Sequence, residues 1–223
     1  MKFIAEIPAR YGSKRVPNKN LKLLNGRPLI TYAIEAAKES KLISEIYVNT
    51  ESDEIGNIAL RMGVNYYKRK PELAEDHISS DEFSYDFLKK TDCDVMVLIN
   101  PVSPLISGMD IDKAINYYIN NEYDTLISIH EERLQTFYQN QPVNINVNEK
   151  LKMTQNILPV QICSWAITFW KKKIFTEHFE KKGHAVFSGK LGFYTLSKTK
   201  SLKISTEEDF MLAEMLLRNQ KKN

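Results

Sequence analysis

Strand-like and helix-like segments alternate along about the first 130 residues of this 223-residue chain. Short apolar runs such as Phe3–Ile7 are each followed by a segment whose apolar residues recur every three to four positions. A chain that repeats strand and helix in this order buries its strands between two layers of helices. The alternation therefore predicts an α/β fold built on a parallel, doubly wound sheet.

Periodicity, together with turn and capping residues, places the individual elements. The predicted strands are Phe3–Ile7, Glu45–Asn49, Val64–Tyr67, Val95–Ile99, Thr125–Ile129, Gln161–Phe169 and Leu191–Leu196. The predicted helices are Pro28–Ser40, Asp53–Met62, Ser80–Lys90, Asp110–Asn120 and Glu207–Asn219. Ser79 or Ser80 is placed to cap the third helix, and the segment Ser205–Glu208 resembles a capping box at the last one.

The alternation breaks in a polar segment rich in asparagine and glutamine. We expect one domain over residues 1–223, with an insertion over about residues 131–170. The basic runs Lys171–Lys173 and Lys181–Lys182 are typical of solvated faces. The chain shows no run of about 18 apolar residues and no secretory signal pattern, so we expect a cytoplasmic protein without a membrane partner.

Charge and cysteine content exclude several classes of function. A net charge of +3 does not supply the concentrated basic face of a general nucleic-acid binder, so no nucleic-acid partner is expected. Cys93 and Cys163 have no metal-ligand spacing and do not form a disulfide framework. The four histidines form no spaced cluster.

A basic loop follows the first predicted strand and lies where α/β sheets bind ligands. Its four cations are Arg10, Lys14, Arg15 and Lys19. Gly12 and Ser13 allow backbone N–H groups to approach a ligand closely. The loop fits neither the P-loop nor the dinucleotide fingerprint. Its composition favours a polyphosphate ligand, and the alternative is a solvated basic loop.

Six motifs, in order along nearly the whole chain, resemble those of the acylneuraminate cytidylyltransferases, the enzymes that activate sialic, legionaminic and pseudaminic acids. They begin with Ile7–Asn20 and the following Leu24–Ile30. The others are Asn49–Ile55, Lys70–Ala74 with the serine pair Ser79-Ser80, Asn100–Leu105, Gly189–Tyr194 and Ser205–Phe210. The resemblance implies a Rossmann-like, mostly parallel sheet of the nucleotide-diphospho-sugar transferase type, with a small insertion that forms a homodimer and reaches a neighbouring active site.

The reaction that this resemblance implies joins CTP to a 2-keto sugar acid and releases pyrophosphate, with Mg²⁺ expected. Arg10 and Lys19 would be catalytic, and Lys19 would neutralise charge near the α-phosphate. The implied substrate-binding residues are Ala9, Ser13, Lys14, Asn20, Lys70, Ser80, Asn100 and Gln155. Ser80 would contact the cytosine side, and Asn100 would meet the sugar.

Several positions depart from the family pattern. Lys203 and Ser205 stand where the family has two metal-binding aspartates, so the metal ligands are unassigned. Glu51 and Asp209 could replace them, although acidic residues at these helix starts also have a capping role. Ile106 replaces an arginine, and the segment Ser164–Thr168 replaces the family's Asn-Gly-Ala-Ile-Tyr.

These departures leave alternatives open. One is a catalytically impaired nucleotide-binding relative, and another is a nucleotidyltransferase that acts on a different sugar or on a polyol phosphate. Trp165, Phe169 and Trp170 could line a pocket, form an interface or pack in the core.

Overall fold

A computed structural model describes residues 1–13 and 15–220 of the chain. Its strands are β1 (Phe3–Pro8), β2 (Leu23–Leu24), β3 (Arg27–Pro28), β4 (Glu45–Thr50), β5 (Asn65–Lys68), β6 (Val95–Ile99), β7 (Thr125–Glu132), β8 (Phe137–Tyr138), β9 (Gln141–Pro142), β10 (Val160–Lys171) and β11 (Leu191–Thr195). Its α-helices are α1 (Ile30–Glu39), α2 (Asp53–Arg61), α3 (Ser80–Lys90), α4 (Gly108–Asn120), α5 (Lys172–Lys182) and α6 (Glu207–Gln220). Short 3₁₀ helices cover Pro71–Ala74 and Thr154–Asn156.

The central sheet has seven strands in the order β11-β7-β10-β6-β1-β4-β5. Strands β6, β1, β4 and β5 are parallel, and β11 runs parallel to β7. β10 is antiparallel to both of its neighbours. The prediction of an α/β fold with a mostly parallel, doubly wound sheet is confirmed, with β10 as the reversed strand.

Alternating side chains of the central strands pack into two hydrophobic cores, one on each face of the sheet. Ala5 and Ile7 of β1 pack with buried residues of α1, α2 and α4, whereas Ile4 packs with Phe87 of α3 and Phe175 of α5. Helices therefore cover both faces of the sheet, which explains why the central strands are apolar throughout.

The helix α5 was not predicted from the sequence. Lys173, Lys181 and Lys182 are exposed, as expected, whereas Lys172 is partly buried and donates to the carbonyl oxygen of Thr91 at 2.6 Å. Phe175 in the same helix is fully buried. Gly183 ends the helix with φ +74°. With one buried position, the helix has too weak a repeat of apolar residues, at every three to four positions, to be predicted from its sequence. Most of its stabilisation comes from packing in the assembled fold.

The structure divides the segment predicted as an insertion into two parts. Residues 133–159 lie outside the central sheet and include the small β8–β9 hairpin. The remainder belongs to the central sheet: residues 131–132 end β7, and the residues from Val160 form β10, which pairs between β6 and β7. Within the described residues, none of the helices combines the length and the apolar character that a membrane crossing requires.

The sheet topology brings the basic loop to a defined edge. Pro8 at the end of β1 lies in register with Asn49 of β4, and Glu6 lies in register with Leu98 of β6. The carboxyl ends of three adjacent parallel strands therefore meet. In open α/β sheets, this edge is where ligands bind.

Candidate functional site

A cavity of about 370 Å³ opens at this edge, and we call it the loop cavity. It is lined by Pro8, Arg10, Gly12, Ser13, Arg15, Lys19, Asn20, Asn100, Pro101 and Val102. Four of the predicted site residues on the basic loop thus line one cavity: Arg10, Ser13, Lys19 and Asn20. Lys14 lies outside the described residues.

Asn20 holds the loop and leaves one polar atom available. Its side-chain Nδ2 donates to the carbonyl oxygen of Arg10 at 2.9 Å, and its own carbonyl accepts from Ile30 N–H at 3.0 Å. Its Oδ1 is buried, and within the described part of the chain it has no hydrogen-bond partner. A buried acceptor without a partner is costly, so a donor on a bound ligand would satisfy it. Ala9 is buried, and its N–H already donates to Asn49.

Lys19 is the half-buried cation of the loop cavity. Its Nζ donates to the carbonyl oxygen of Ile204 at 3.0 Å. Burial, followed by the charges of Arg15, Lys203 and Arg10, lowers the pKa of this ammonium group, and Asp209 opposes the shift. The cluster of like charges makes an anionic ligand favourable here, because an anion would relieve the repulsion among them.

Arg10 connects the basic loop to the segment after β5. Its Nη1 lies 2.8 Å from Oδ1 of Asp76 and donates to the carbonyl oxygen of Ala74 at 3.3 Å. Both contacts use Nη1, so the remaining N–H donors of the guanidinium could bind a phosphate while Asp76 reduces the net positive charge.

A second cavity of about 630 Å³ adjoins the first and shares Pro8 and Asn100 with it. We call it the aromatic cavity. Its lining is completed by Ser80, Asp81, Phe83, Leu98, Trp165, Thr168, Trp170, His184, Val186, Phe187 and Lys203. Of the predicted residues, Ser80 and Asn100 lie here. Lys70 and Gln155 are exposed and line neither cavity.

Trp165 reaches the aromatic cavity from an irregular point in β10. The register of β10 against β7 shifts between Cys163 and Thr168, and Trp165 has φ +57°. This left-handed conformation is strained for a residue with a large side chain. Trp165 also meets Phe187 edge-on, with ring centroids 5.9 Å apart. Of the alternatives left open by the sequence, the structure thus places Trp165 at a pocket.

Two serines hold this bulge in place. The hydroxyls of Ser128 and Ser164 lie 2.8 Å apart, and Ser128 Oγ accepts from Ile167 N–H at 3.0 Å. Asn100 N–H donates to the carbonyl oxygen of Ala166 at 3.0 Å. The bulge is therefore bonded directly to the residue that the two cavities share.

A buried polar network supports the floor of the site and was missed from the sequence. Asn49 Nδ2 donates to Glu6 Oε1 at 2.5 Å, and Ser84 Oγ donates to Glu6 Oε2 at 2.8 Å. Arg69 donates to the side-chain and main-chain oxygens of Asn49 at 2.8 and 2.9 Å. Burial raises the pKa of Glu6 and lowers that of Arg69. Glu6 is the one charged residue in an otherwise apolar strand. That pattern alone does not predict a buried hydrogen-bond network.

The carboxylates near the site do not fit a divalent metal ion. Asp209 Oδ2 accepts the N–H groups of Ser205 and Thr206, both at 2.8 Å, so it caps α6 as one of the sequence alternatives proposed. Glu51 Oε1 accepts from Tyr11 N–H at 2.7 Å, and its Oε2 is a buried acceptor without a hydrogen-bond partner in the described part of the chain. Neither residue lines a cavity. The described residues contain no group of three histidine, cysteine or acidic side chains that could hold a metal ion.

One protein family matches almost the whole chain. The family is described as cytidylyltransferase, and the match covers residues 4–223. The chain belongs to the cytidylyltransferase family.

Individual relatives agree with the resemblance that the motifs indicated. An N-acylneuraminate cytidylyltransferase of Streptococcus agalactiae serotype V is 31% identical over 95% of this chain and 52% of its own length. The post-translational flagellin modification protein B of Campylobacter coli is 29% identical over 97% of this chain and 95% of its own length. The chain spans about half the length of the first N-acylneuraminate cytidylyltransferases that it matches.

Solved structures of cytidylyltransferases share the fold. A CMP:2-keto-3-deoxy-manno-octonic acid synthetase complexed with CTP superposes with a TM-score of 0.75 at 14% identity, covering 99% of this chain and 100% of its own. The 4-diphosphocytidyl-2C-methyl-D-erythritol synthase of Anaerococcus prevotii gives a TM-score of 0.65 at 16% identity, with 97% and 99% coverage. At these identities, the comparison confirms the nucleotide-diphospho-sugar transferase type of fold.

Proposed function

We propose that this cytidylyltransferase binds CTP with its phosphates in the loop cavity and transfers CMP to a hydroxylated sugar acid in the aromatic cavity. The observation that supports this assignment is the junction of the two cavities at Asn100 and Pro8. One cavity is cationic and the other is apolar and aromatic, so a nucleotide and a sugar could meet at the shared wall.

The proposed reaction is an in-line displacement. The acceptor hydroxyl oxygen forms a bond to the α-phosphorus, and the bond from that phosphorus to the oxygen of the β-phosphate breaks. Pyrophosphate leaves, and the hydroxyl proton passes to solvent. Such transfers depend on positioning and on neutralising charge, which are roles for Arg10, Lys19 and the available Oδ1 of Asn20. We assign Ser13 and Lys14 to the same proposed phosphate site and Ala9 to the nucleoside. Ser80 lines the aromatic cavity, so its proposed contact with the cytosine requires the base to enter that cavity beside the acceptor.

Pyrophosphate release tests the proposal. The assay would contain CTP and a panel of nonulosonic acids that includes N-acetylneuraminate, with and without Mg²⁺. A CMP-linked product identified by mass spectrometry supports the proposed function. Normal folding and CTP binding without turnover of any acceptor would instead favour the catalytically impaired relative.

Two polar groups in the aromatic cavity favour one other class of acceptor, the phosphorylated sugars and polyols. Lys203 lines this cavity, and Thr168 Oγ1 is buried without a hydrogen-bond partner in the described part of the chain. A cation and a free hydroxyl also suit a sugar phosphate or a polyol phosphate. A nucleotide-diphosphate product in the same assay would identify that class.

Removing the indole of Trp165 should affect the acceptor more than the fold. We expect Trp165→Gly to change the free energy of unfolding by no more than about 1 kcal/mol, because relief of the positive φ offsets the lost contacts. We expect the KM of the acceptor to rise about tenfold through the loss of the aromatic wall, with CTP affinity unchanged. Urea unfolding, steady-state kinetics and calorimetric titration with CTP provide the three measurements.

Trp170 serves as the comparison for the stability measurement, because its side chain is almost fully buried. We expect Trp170→Ala to destabilise the protein by about 3 kcal/mol or more. A Trp165→Gly variant that unfolds as readily as Trp170→Ala would show that Trp165 has a structural role, and an unchanged KM of the acceptor would contradict the proposed contact.

We further propose that residues 133–159 form a homodimer contact. Large apolar side chains are exposed along and just after this segment: Leu134, Phe137, Tyr138, Val143, Val147, Leu151, Met153, Leu158 and Ile162. Such a concentration of exposed apolar surface is typical of an interface. In a dimer, Gln155 on this segment could reach the partner's site, which would reconcile its predicted role with its position outside both cavities.

A charge placed in this surface should separate the subunits. We expect Leu158→Asp to convert a dimer to a monomer in light scattering coupled to size-exclusion chromatography, because leucine at 76% exposure contributes contact area only in an assembly. Leu60→Asp on α2, where leucine is 57% exposed, is the matched control and should leave the mass unchanged. A wild-type monomer at micromolar concentration would contradict the proposed interface.

A further inference from the structure

We infer that Lys203 supplies the positive charge that a divalent cation would otherwise bring to the nucleotide, so that CTP binds to this site without a metal ion. The inference rests on the proposed function, since it concerns the same nucleotide site. It follows from three features: the hydrogen bonds of the local carboxylates, the anchoring of the backbone beside Lys203 and the positive charge around Lys19.

The carboxylates that line the two cavities do not supply the oxygen ligands of a divalent cation, and Glu51, which has one oxygen without a partner among the described residues, lines neither cavity. Asp81 is the one acidic residue among the described residues that line either cavity. Its Oδ1 already accepts the N–H groups of Ala185 and Val186, at 2.5 and 2.7 Å. Mg²⁺ requires near-octahedral oxygen ligands, usually including one or two accessible carboxylates. Asp81 is a single carboxylate that already accepts from two backbone N–H groups, so it does not provide such a site on its own.

The backbone beside Lys203 is firmly anchored. Ile204 is fully buried, and its N–H donates to the carbonyl oxygen of Val102 at 2.8 Å. Its own carbonyl oxygen accepts from Lys19 Nζ at 3.0 Å. Val102 also lines the loop cavity. These bonds hold Ile204 against Val102 and Lys19 of the loop cavity, while the preceding residue, Lys203, lines the adjoining aromatic cavity. Phosphates bound in the loop cavity would therefore lie next to the cavity that Lys203 lines.

The local charge favours an anion over a cation. Lys203 acts electrostatically on Lys19, together with Arg10 and Arg15. A divalent cation would add to this repulsion, whereas a triphosphate would be attracted by all four side chains. The ammonium of Lys203 can also donate hydrogen bonds to phosphate oxygens directly.

Calorimetric titration of CTP into the full chain, once with EDTA and once with Mg²⁺, tests the inference. For the wild type, we expect a dissociation constant that differs by less than about threefold between the two conditions, which corresponds to less than 1 kcal/mol. For Lys203→Met, we expect affinity in EDTA to fall about tenfold through loss of a charged donor. For Lys203→Asp, the loss should be larger, and Mg²⁺ should restore part of it because the new carboxylate can bind the ion.

Lys198→Asp is the charge-matched control. Lys198 is exposed, pairs with Glu132 and lines neither cavity, so its replacement should leave both titrations unchanged. Wild-type binding that occurs only with Mg²⁺ would overturn the inference and leave the proposed function intact. An absence of CTP binding in both conditions, from a protein with a normal melting curve, would overturn the proposed function itself.

Discussion

Replacing Lys19 with methionine is expected to lower kcat/KM by about 10²- to 10³-fold, the range found when one preorganised donor to developing charge is removed. Lys19 is the half-buried ammonium in the loop cavity, and its pKa is lowered by burial and by neighbouring cations. A phosphate in this cavity would be close to a charge that solvent screens poorly. The measurement is steady-state pyrophosphate release, with the acceptor identified by the panel assay.

The matched control is Lys22→Met on the same segment. Lys22 pairs with Glu207 and lies over the ring of Phe210, 4.8 Å from its centroid, outside both cavities. An exposed pair of this kind contributes at most about 1 kcal/mol, so we expect little change in kinetics. Equal losses in the two variants would show that the effect is not specific to the cation in the loop cavity, and would contradict the proposed role of Lys19.

Replacing Arg69 with methionine is expected to destabilise the protein by about 3 kcal/mol. Arg69 is buried, donates twice to Asn49 and stacks over Phe83 at 4.3 Å. Its removal leaves two acceptors of Asn49 without these donors and removes the positive charge near the buried carboxyl of Glu6. Urea unfolding measures the difference, and Lys68→Met at the exposed preceding residue serves as the control.

The pH dependence distinguishes loss of charge from loss of packing. Burial raises the pKa of Glu6, and the charge of Arg69 opposes that rise. Without Arg69 the folded-state pKa should rise further above the unfolded value, so the folded variant binds protons more tightly and gains stability as pH falls. We expect a smaller deficit relative to the wild type at about pH 5 than at about pH 8. A deficit that is the same at both values would indicate a packing defect alone.

Most of the fold could be predicted because the relevant signals are local. The limits of α3 and β6 agree with the structure residue for residue, since Ser79 forms a capping box with Glu82 and β6 is apolar throughout. Helix α5 lacked such a signal, because its lysine-rich sequence buries one phenylalanine against partners distant in the chain.

The candidate site was predictable only in part, for a similar reason. The basic loop is contiguous in sequence, so Arg10, Lys19 and Asn20 could be grouped before their cavity was known. Lys70 and Gln155 were assigned by motif alone, and the structure places both outside the cavities. Their roles remain predictions that the nucleotide and dimer experiments address.

The sequence by itself determined the class of sheet, the loop that follows its first strand and the family of the chain. Only the tertiary structure decided that Trp165, Lys203 and Asn100 line one cavity, and that Arg69 lies in a buried network with Glu6. The physical reason is distance along the chain. Periodicity and capping depend on neighbours within a few residues, whereas cavities and buried charges depend on which strand ends the topology brings together.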